Sequence, residues 1–166
     1  MDVSLHPIAF DARSVLHNLY SYYLYDMSEV MGRSPEPSGR YTFDHKSLNK
    51  YWQDRGHWPY FIHLGDQLAG FFLIREYPAN RQRLDVDQFF VLRKFRRQGA
   101  GIAALHQGVR QHPVQWQIRI LKQNRAALRF WRSAVTALVG TRFDAGIELD
   151  IDLEMHFIHF DQAGEK

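Results

Sequence analysis

Residues Leu84 to Leu105, LDVDQFFVLRKFRRQGAGIAAL, read as a strand, a basic turn and a glycine-opened helix. Phe89, Phe90, Val91 and Leu92 form a short apolar run rich in strand formers. Arg93, Lys94, Arg96 and Arg97 follow with no acid among them. Gly99 and Gly101 then open an Ala/Leu/Ile segment suited to a helix. Glycines there let backbone N–H groups approach a ligand with no Cβ in the way. A helix start adds unpaired N–H donors and the positive end of the helix dipole. Together these features describe a cradle for an anion of the phosphate type.

Charge extends the same reading outward. Between Asp87 and Asp144 lie 56 residues without an acid, carrying 11 Arg and Lys: Arg93, Lys94, Arg96, Arg97, Arg110, Arg119, Lys122, Arg125, Arg129, Arg132 and Arg142. The whole chain is only +3, so the other segments are acidic. One half is built for an anionic ligand and the other is not.

A chain of 166 residues, 45% apolar and 14% aromatic, can bury a real core as a single domain, 1–166. The absence of cysteine excludes a disulfide framework and thiolate metal sites. His156 and His159 would point to opposite faces of a strand, so no metal is expected. No signal-peptide pattern or long apolar run is present, which points to a cytoplasmic protein without a membrane segment.

Residues 3–9 suit a first strand, and Asp11 suits the N-cap of a helix to about Met31. One row of that helix, Leu16, Leu19, Tyr20, Tyr23, Met27, Val30, has core spacing. A second row, Tyr22, Tyr25, Asp26, Glu29, reads either as half-buried aromatics with solvated acids or as the wall of a substrate pocket. Gly32–Gly39 is a loop. Residues 44–55 suit a short helix with Leu48, Tyr51 and Trp52 inward. Pro59–Leu64 and Leu68–Arg75 form a hairpin, 76–83 a polar connection, and the central strand follows. The glycine-opened helix ends by His112, before Pro113. Val114–Leu121 alternates as a strand, Asn124 caps a helix from Arg125 to about Leu138, and the C-terminal part is one long strand or two joined near Asp150. Its acidic side reads as solvated. The order predicts a mixed α/β layer structure.

Gly99–Ala104 also fits the dinucleotide pattern G-x-G-x-x-A, but no acid follows at the distance a ribose needs. Val91–Gly101, VLRKFRRQGAG, instead resembles the acyl-CoA motif of the GNAT family of N-acetyltransferases, Arg/Gln-x-x-Gly-x-Gly/Ala, with Arg96, Gly99 and Gly101 in place. The helix and strand after the motif fit the family, as does Asn124 opening a helix with Ala127 and Phe130-Trp131 behind it. The resemblance implies an α/β fold with a mixed, mostly antiparallel sheet flanked by helices.

It also implies direct transfer of acetyl from acetyl-CoA to a primary amine, without a covalent enzyme intermediate. By position, backbone groups at Phe90, Val91 and Arg93 would pair with pantetheine. Amides from Arg97 through Gln98, Gly99 and Ala100 to Gly101 would hold the pyrophosphate, with Arg96 or Arg97 adding charge. Asn124 would reach the pantetheine arm, and the helix bearing Trp131 would flank the thiol. Many members carry a Tyr near position 131 as general acid. Trp131 has a donor N–H but no proton to give at neutral pH, so the alternatives are Tyr22 or Tyr25 as general acid, or a thiolate that leaves with hydrogen-bond support alone. Asp87, with Asp85 behind it, is the expected base. Tyr22, Tyr25, Asp26 and Glu29 are the expected acceptor wall, for a small primary amine or amino sugar. The alternatives are a CoA-binding sensor of the same fold, or a nucleic-acid module stacking bases on Phe95, Trp116 and Trp131. A homodimer is compatible with an open sheet edge.

Overall fold

In a computed structural model, which describes residues 2–162, the chain enters through strand β1 (Val3–Pro7). Residues 1 and 163–166 of the expected single domain lie outside the described residues. A 3-10 turn, Phe10–Ala12, leads into helix α1 (Arg13–Met31). Asp11 therefore sits inside the turn, and the N-cap is Ala12. Gly32 ends α1 in the left-handed conformation. The short helix expected over 44–55 is split into a 3-10 turn, His45–Leu48, and α2 (Lys50–Gln53). Asp44 caps the first piece by accepting from the Lys46 amide at 3.0 Å.

Strands β2 (His57–Leu64), β3 (Gln67–Tyr77) and β4 (Asn80–Val91) form an antiparallel meander. The polar stretch 76–83 belongs mostly to these strands, with Tyr77 paired to Asn80 across the turn. Helix α3 (Ala100–Gln111), strand β5 (Gln115–Leu121) and helix α4 (Arg125–Val139) follow, then β6 (Phe143–Asp150) and β7 (Leu153–Asp161). The C-terminal part is thus two strands, joined at a turn where Ile151 has φ 60°.

The seven strands make one mixed sheet in the order β1-β2-β3-β4-β5-β7-β6. β4 and β5 pair parallel and every other neighbouring pair is antiparallel. Alternation sends Phe72, Ile74, Val86, Trp116 and Ile118 to the face covered by α3 and α4. Phe61, Phe71, Leu73 and Phe90 go to the other face, against Leu16 and Leu19 of α1 and Tyr51 of α2. Two glycines permit close approaches. A Cβ on Gly70 would lie 1.9 Å from the Phe90 carbonyl oxygen, and one on Gly108 would lie 2.5 Å from the Phe72 ring. β6 is a free edge, with Ile147, Leu149, Ile151 and Leu153 of its hairpin exposed. Such an edge is a template for pairing with another chain.

Candidate active site

The two central strands part. β4 and β5 pair only at Arg83↔Gln115, Leu84↔Trp116 and Asp85↔Gln117, yet β4 continues to Val91 and β5 to Leu121. A bulge contributes to this. Against β3, Leu73 pairs with Gln88 and Ile74 with Val86, so Asp87 is the extra residue. A bulge increases the local twist and breaks the ladder. It also turns two consecutive side chains to one face: Asp87 contacts Tyr51 of α2, and Gln88 accepts from the Tyr23 hydroxyl of α1 at 2.5 Å. Beyond Asp85 the facing backbone groups of β4 and β5 have no partners in each other, and water or an extended ligand must satisfy them.

The opening is a cleft of about 450 Å³. Tyr20, Tyr23, Met27 and Met31 of α1 line one wall, and Asn124, Ala127 and Trp131 line another. Phe43 stands beside Tyr20, ring centroids 4.6 Å apart. A separate cavity of about 390 Å³, bounded by Arg83, Arg142 and His159, lies at the paired end of these strands, away from the split.

At the far end of β4 the basic turn is anchored by buried Phe95. Arg97 has φ 60° and Gly99 has φ 79°, and α3 begins at Ala100. Among the described residues, no carbonyl accepts from the amides of Arg97 to Gly101, the first helical bond being Ala103 N–H to Gly99 O at 3.0 Å. The four basic residues have separate duties. Arg96 donates from Nε to the Val91 carbonyl at 2.7 Å and reaches Asp26 at 2.8 Å and 3.3 Å. Arg93 stands 3.5 Å from Asp26, and Lys94 donates to Gln67 at 2.9 Å. Arg97 has no carboxylate within 4 Å among the described residues, so its charge is available to a ligand.

The helix row that faces the cleft differs from the expected one. Tyr20, Tyr23, Met27 and Met31 line it, whereas Tyr22 and Tyr25 are 58% and 59% exposed, on the opposite side of α1. Glu29 is exposed on that same side, and Tyr25 packs against Tyr41. Asp26 is held by Arg96 and Arg93. The structure therefore does not bring Tyr22, Tyr25, Asp26 and Glu29 together with Asp87. Phe90 faces α1, packing on Phe71 and Tyr23, with the Arg96 guanidinium 5.6 Å from its ring.

Asp87 is the one carboxylate lining the cleft among the described residues. It is nearly buried and heavily partnered. Lys50 Nζ lies 3.3 Å away, Arg75 Nε 3.4 Å and Arg119 3.6 Å, and the Tyr51 hydroxyl donates to it. Behind it, fully buried Asp85 receives Arg75 Nε at 3.1 Å, an Arg119 amino group at 2.7 Å and Gln117 Nε2 at 3.4 Å. Arg119 also reaches Asp150 at 2.6 Å, and Tyr77 donates to Asp150 at 2.8 Å. Three acids meet three bases. The charges and bonds of Asp85 and Asp150 raise the Arg119 pKa despite the burial that opposes it. Burial also opposes the shift at Asp150, yet the Tyr77 hydroxyl and Arg119 hold its carboxyl below the usual range.

The cleft phenols stay protonated at neutral pH. Burial, then the charge of Asp87, pushes Tyr20 up to about 12, with Arg33 partly opposing. Burial and the neighbours Tyr20 and Asp87 raise Tyr23 further. The Tyr23 hydroxyl is committed to Gln88, while that of Tyr20 makes no hydrogen bond among the described residues. Asn124 caps α4, accepting from the Ala127 amide at 3.1 Å, which leaves its side-chain N–H₂ free to donate. Trp131 is buried against Phe89 and Phe130 at 5.0 Å and 4.8 Å.

A family model described as the acetyltransferase (GNAT) family matches residues 22–134, from the middle of α1 into α4. The chain belongs to that family. It is an acetyl-CoA-dependent N-acetyltransferase, and its seven-stranded sheet with helices on both faces is the GNAT fold. Solved structures agree on the fold. An acetyltransferase from Thermus thermophilus superposes with a TM-score of 0.72 at 13% identity, covering 97% of each chain. Spermidine N-acetyltransferase from Vibrio cholerae, solved with CoA and spermine, gives 0.68 at 12% identity over 97% of this chain and 96% of that one. Comparison with curated protein sequences finds no match. Of the residues expected from the sequence, Asn124, Trp131 and Asp87 line the cleft, and the turn from Arg97 to Gly101 lies at the far end of β4. The sequence did not single out Tyr20, Tyr23, Gln88 and Arg33 as cleft residues, and Arg119 and Lys50 as partners of Asp87. Tyr20 and Tyr23 were visible only as core spacing.

Proposed function

We propose that the split between β4 and β5 holds acetyl-CoA and that a small primary amine meets it at Asp87. The observation that carries this reading is the continuity of unpaired backbone, from the bulge at Asp87 along β4 to the free amides at the start of α3. Those amides and Arg97, which has no carboxylate partner among the described residues, suit the pyrophosphate, and Val91 and Arg93 offer backbone groups to the pantetheine arm, whereas the Phe90 carbonyl is turned to Gly70 of β3. The free side-chain N–H₂ of Asn124 and the face of Trp131 suit the end nearer the thiol. When bound, acetyl-CoA supplies the acetyl thioester.

Asp87 accepts a hydrogen bond from the arriving ammonium and takes its proton, directly or through water, so that the nitrogen lone pair is freed. The N–C bond forms as the C–S bond breaks. Tyr20, protonated and uncommitted, donates to the leaving sulfur in place of the absent tyrosine at 131. The aromatic lining of the cleft, Tyr20, Tyr23, Phe43, Phe89 and Trp131, limits water around the thioester.

The test is calorimetric titration with acetyl-CoA followed by a thiol-release assay with amines. Asp87→Asn should lower kcat by about 100-fold or more while acetyl-CoA affinity stays within a few-fold. Unchanged turnover in Asp87→Asn would remove this carboxylate from the chemistry. Steep salt-dependent binding to a DNA duplex without acetyl-CoA binding would return the basic half to the nucleic-acid reading.

A further inference from the structure

The cleft's charges carry a statement about its acceptor. Around Asp87 the acids Asp85, Asp87 and Asp150 are matched by Lys50, Arg75 and Arg119. That cluster is balanced, so it has no spare negative charge for any ammonium beyond the one that gives its proton to Asp87. Among the described residues the wall adds no carboxylate, because Glu29 faces outward and Asp26 is held by Arg96 and Arg93. What the wall adds is Arg33, just past the end of α1. Its guanidinium donates to the Thr42 carbonyl at 3.4 Å and has no carboxylate within 4 Å among the described residues.

Between the acid and this cation the lining is aromatic and apolar: Tyr20, Tyr23, Phe43, Met27 and Met31. Tyr20 stands within electrostatic reach of both ends, since Asp87 and Arg33 act on its hydroxyl with opposite sign.

Resting on the acetyl-transfer reading above, we infer that the acceptor is an amine that also carries an anionic group, a carboxylate or phosphate, on an apolar or aromatic body. Arg33 is its specificity-determining residue. The amine lies toward Asp87 and the anion toward Arg33, while Tyr20 and Phe43 flank the body between them. A polyamine is the wrong shape of charge for this cleft: its second and third ammonium groups would meet Arg33 and Arg119 with no acid left to receive them.

The test is a matched acceptor panel assayed for thiol release from acetyl-CoA. Phenylalanine is compared with phenethylamine, which lacks the carboxylate, and phosphoethanolamine with ethanolamine. Spermidine is the polyamine arm. The anion-bearing member of a pair should be favoured in kcat/KM by about 10- to 100-fold, the range of a charge-assisted contact. Arg33→Ala should erase that preference by raising KM for the anion-bearing members, and Arg33→Lys should restore part of it. The carboxylate and phosphate pairs tell the two anions apart. Equal or reversed preference, spermidine as the best acceptor, or acetyl-CoA binding with no panel member acetylated would each overturn the inference while leaving the fold's cofactor reading standing. Failure to bind acetyl-CoA would overturn the acetyl-transfer reading first, and this one with it.

Discussion

Replacing Asp85 by Asn keeps the shape of the side chain and removes its charge. Asp85 is fully buried and receives Arg75, Arg119 and Gln117. Without it, two guanidiniums that are themselves mostly buried share only Asp87 and Asp150. Breaking a buried pair from one side costs about 3–5 kcal/mol, because the remaining charge is left uncompensated where water does not reach. A domain of this size loses about 2–4 °C of Tm per kcal/mol, so the variant should melt about 6–20 °C lower. Against a total stability of about 5–15 kcal/mol, that is a large fraction.

Urea unfolding at pH 7, at low and high salt, measures this loss. The loss should change little with salt, since buried pairs are weakly screened. A double cycle with Arg119→Met should show a coupling of about 1–3 kcal/mol. The consequence for function follows from position. Asp85 is one of three β4 residues that pair with β5, so the network closes the narrow end of the cleft. Acetyl-CoA affinity should therefore fall in Asp85→Asn even at temperatures where the fold persists. A stability loss under about 1 kcal/mol, the worth of an exposed pair, would refute the reasoning, because it would mean that the arginines find water as readily as Asp85.

Gly70→Ala should prevent correct pairing of β3 with β4, since a Cβ there would lie 1.9 Å from a backbone oxygen that cannot move aside. Soluble yield and circular dichroism check this, and a well-folded variant would contradict it. Arg97→Gly removes a left-handed residue that costs about 1 kcal/mol, offset by added freedom of the unfolded chain. Its Tm should move little while its acetyl-CoA Kd rises several-fold, and an unchanged Kd would exclude Arg97 from the cradle. Burial lowers the pKa values of His17, His63 and His112, with His45 and Arg13 adding to the effect at His17 and His6 at His63. These histidines bind protons more readily in the unfolded chain, so their stabilising contribution is complete above the ordinary value of 6.5 and is lost as pH falls below it. Tm should drop between pH 7.5 and 5.5 and drop less in His17→Phe/His63→Phe; a flat profile in the wild type would contradict this.

Local signals carried much of the fold. The cradle, the Asn124 cap and the alternation of β5 are consecutive in the chain, where period and turn chemistry operate. The misread stretch 76–83 shows the limit. Glu76, Arg81 and Arg83 look like a solvated connection, yet β3 and β4 run through them. Arg75 is drawn inward by Asp85 and Asp87, and Arg83 bonds His159 at 3.0 Å. Asp150 is likewise not merely solvated, because Arg119 and Tyr77 hold it. The partners of Arg119 at Asp85 and Asp150 lie more than thirty residues away in either direction, and no local pattern encodes such pairs.

The acceptor wall was hidden for a different reason. Helix α1 carries two rows at helical spacing, and both contain tyrosines. Periodicity establishes that a face exists, but only contact with the sheet decides which row turns inward. The inward row was legible as core because a cleft wall and a core ask for the same residues: aromatic, apolar, able to exclude water. The outward row carries acids at the same spacing, which is also the pattern of a polar binding wall. Asp26 instead fastens Arg96, and through it the end of β4, to α1. That fastening leaves Asp87 as the cleft's single carboxylate among the described residues. A single carboxylate set against Arg33, which has no carboxylate partner among those residues, is what an acceptor with one amine and one anion requires.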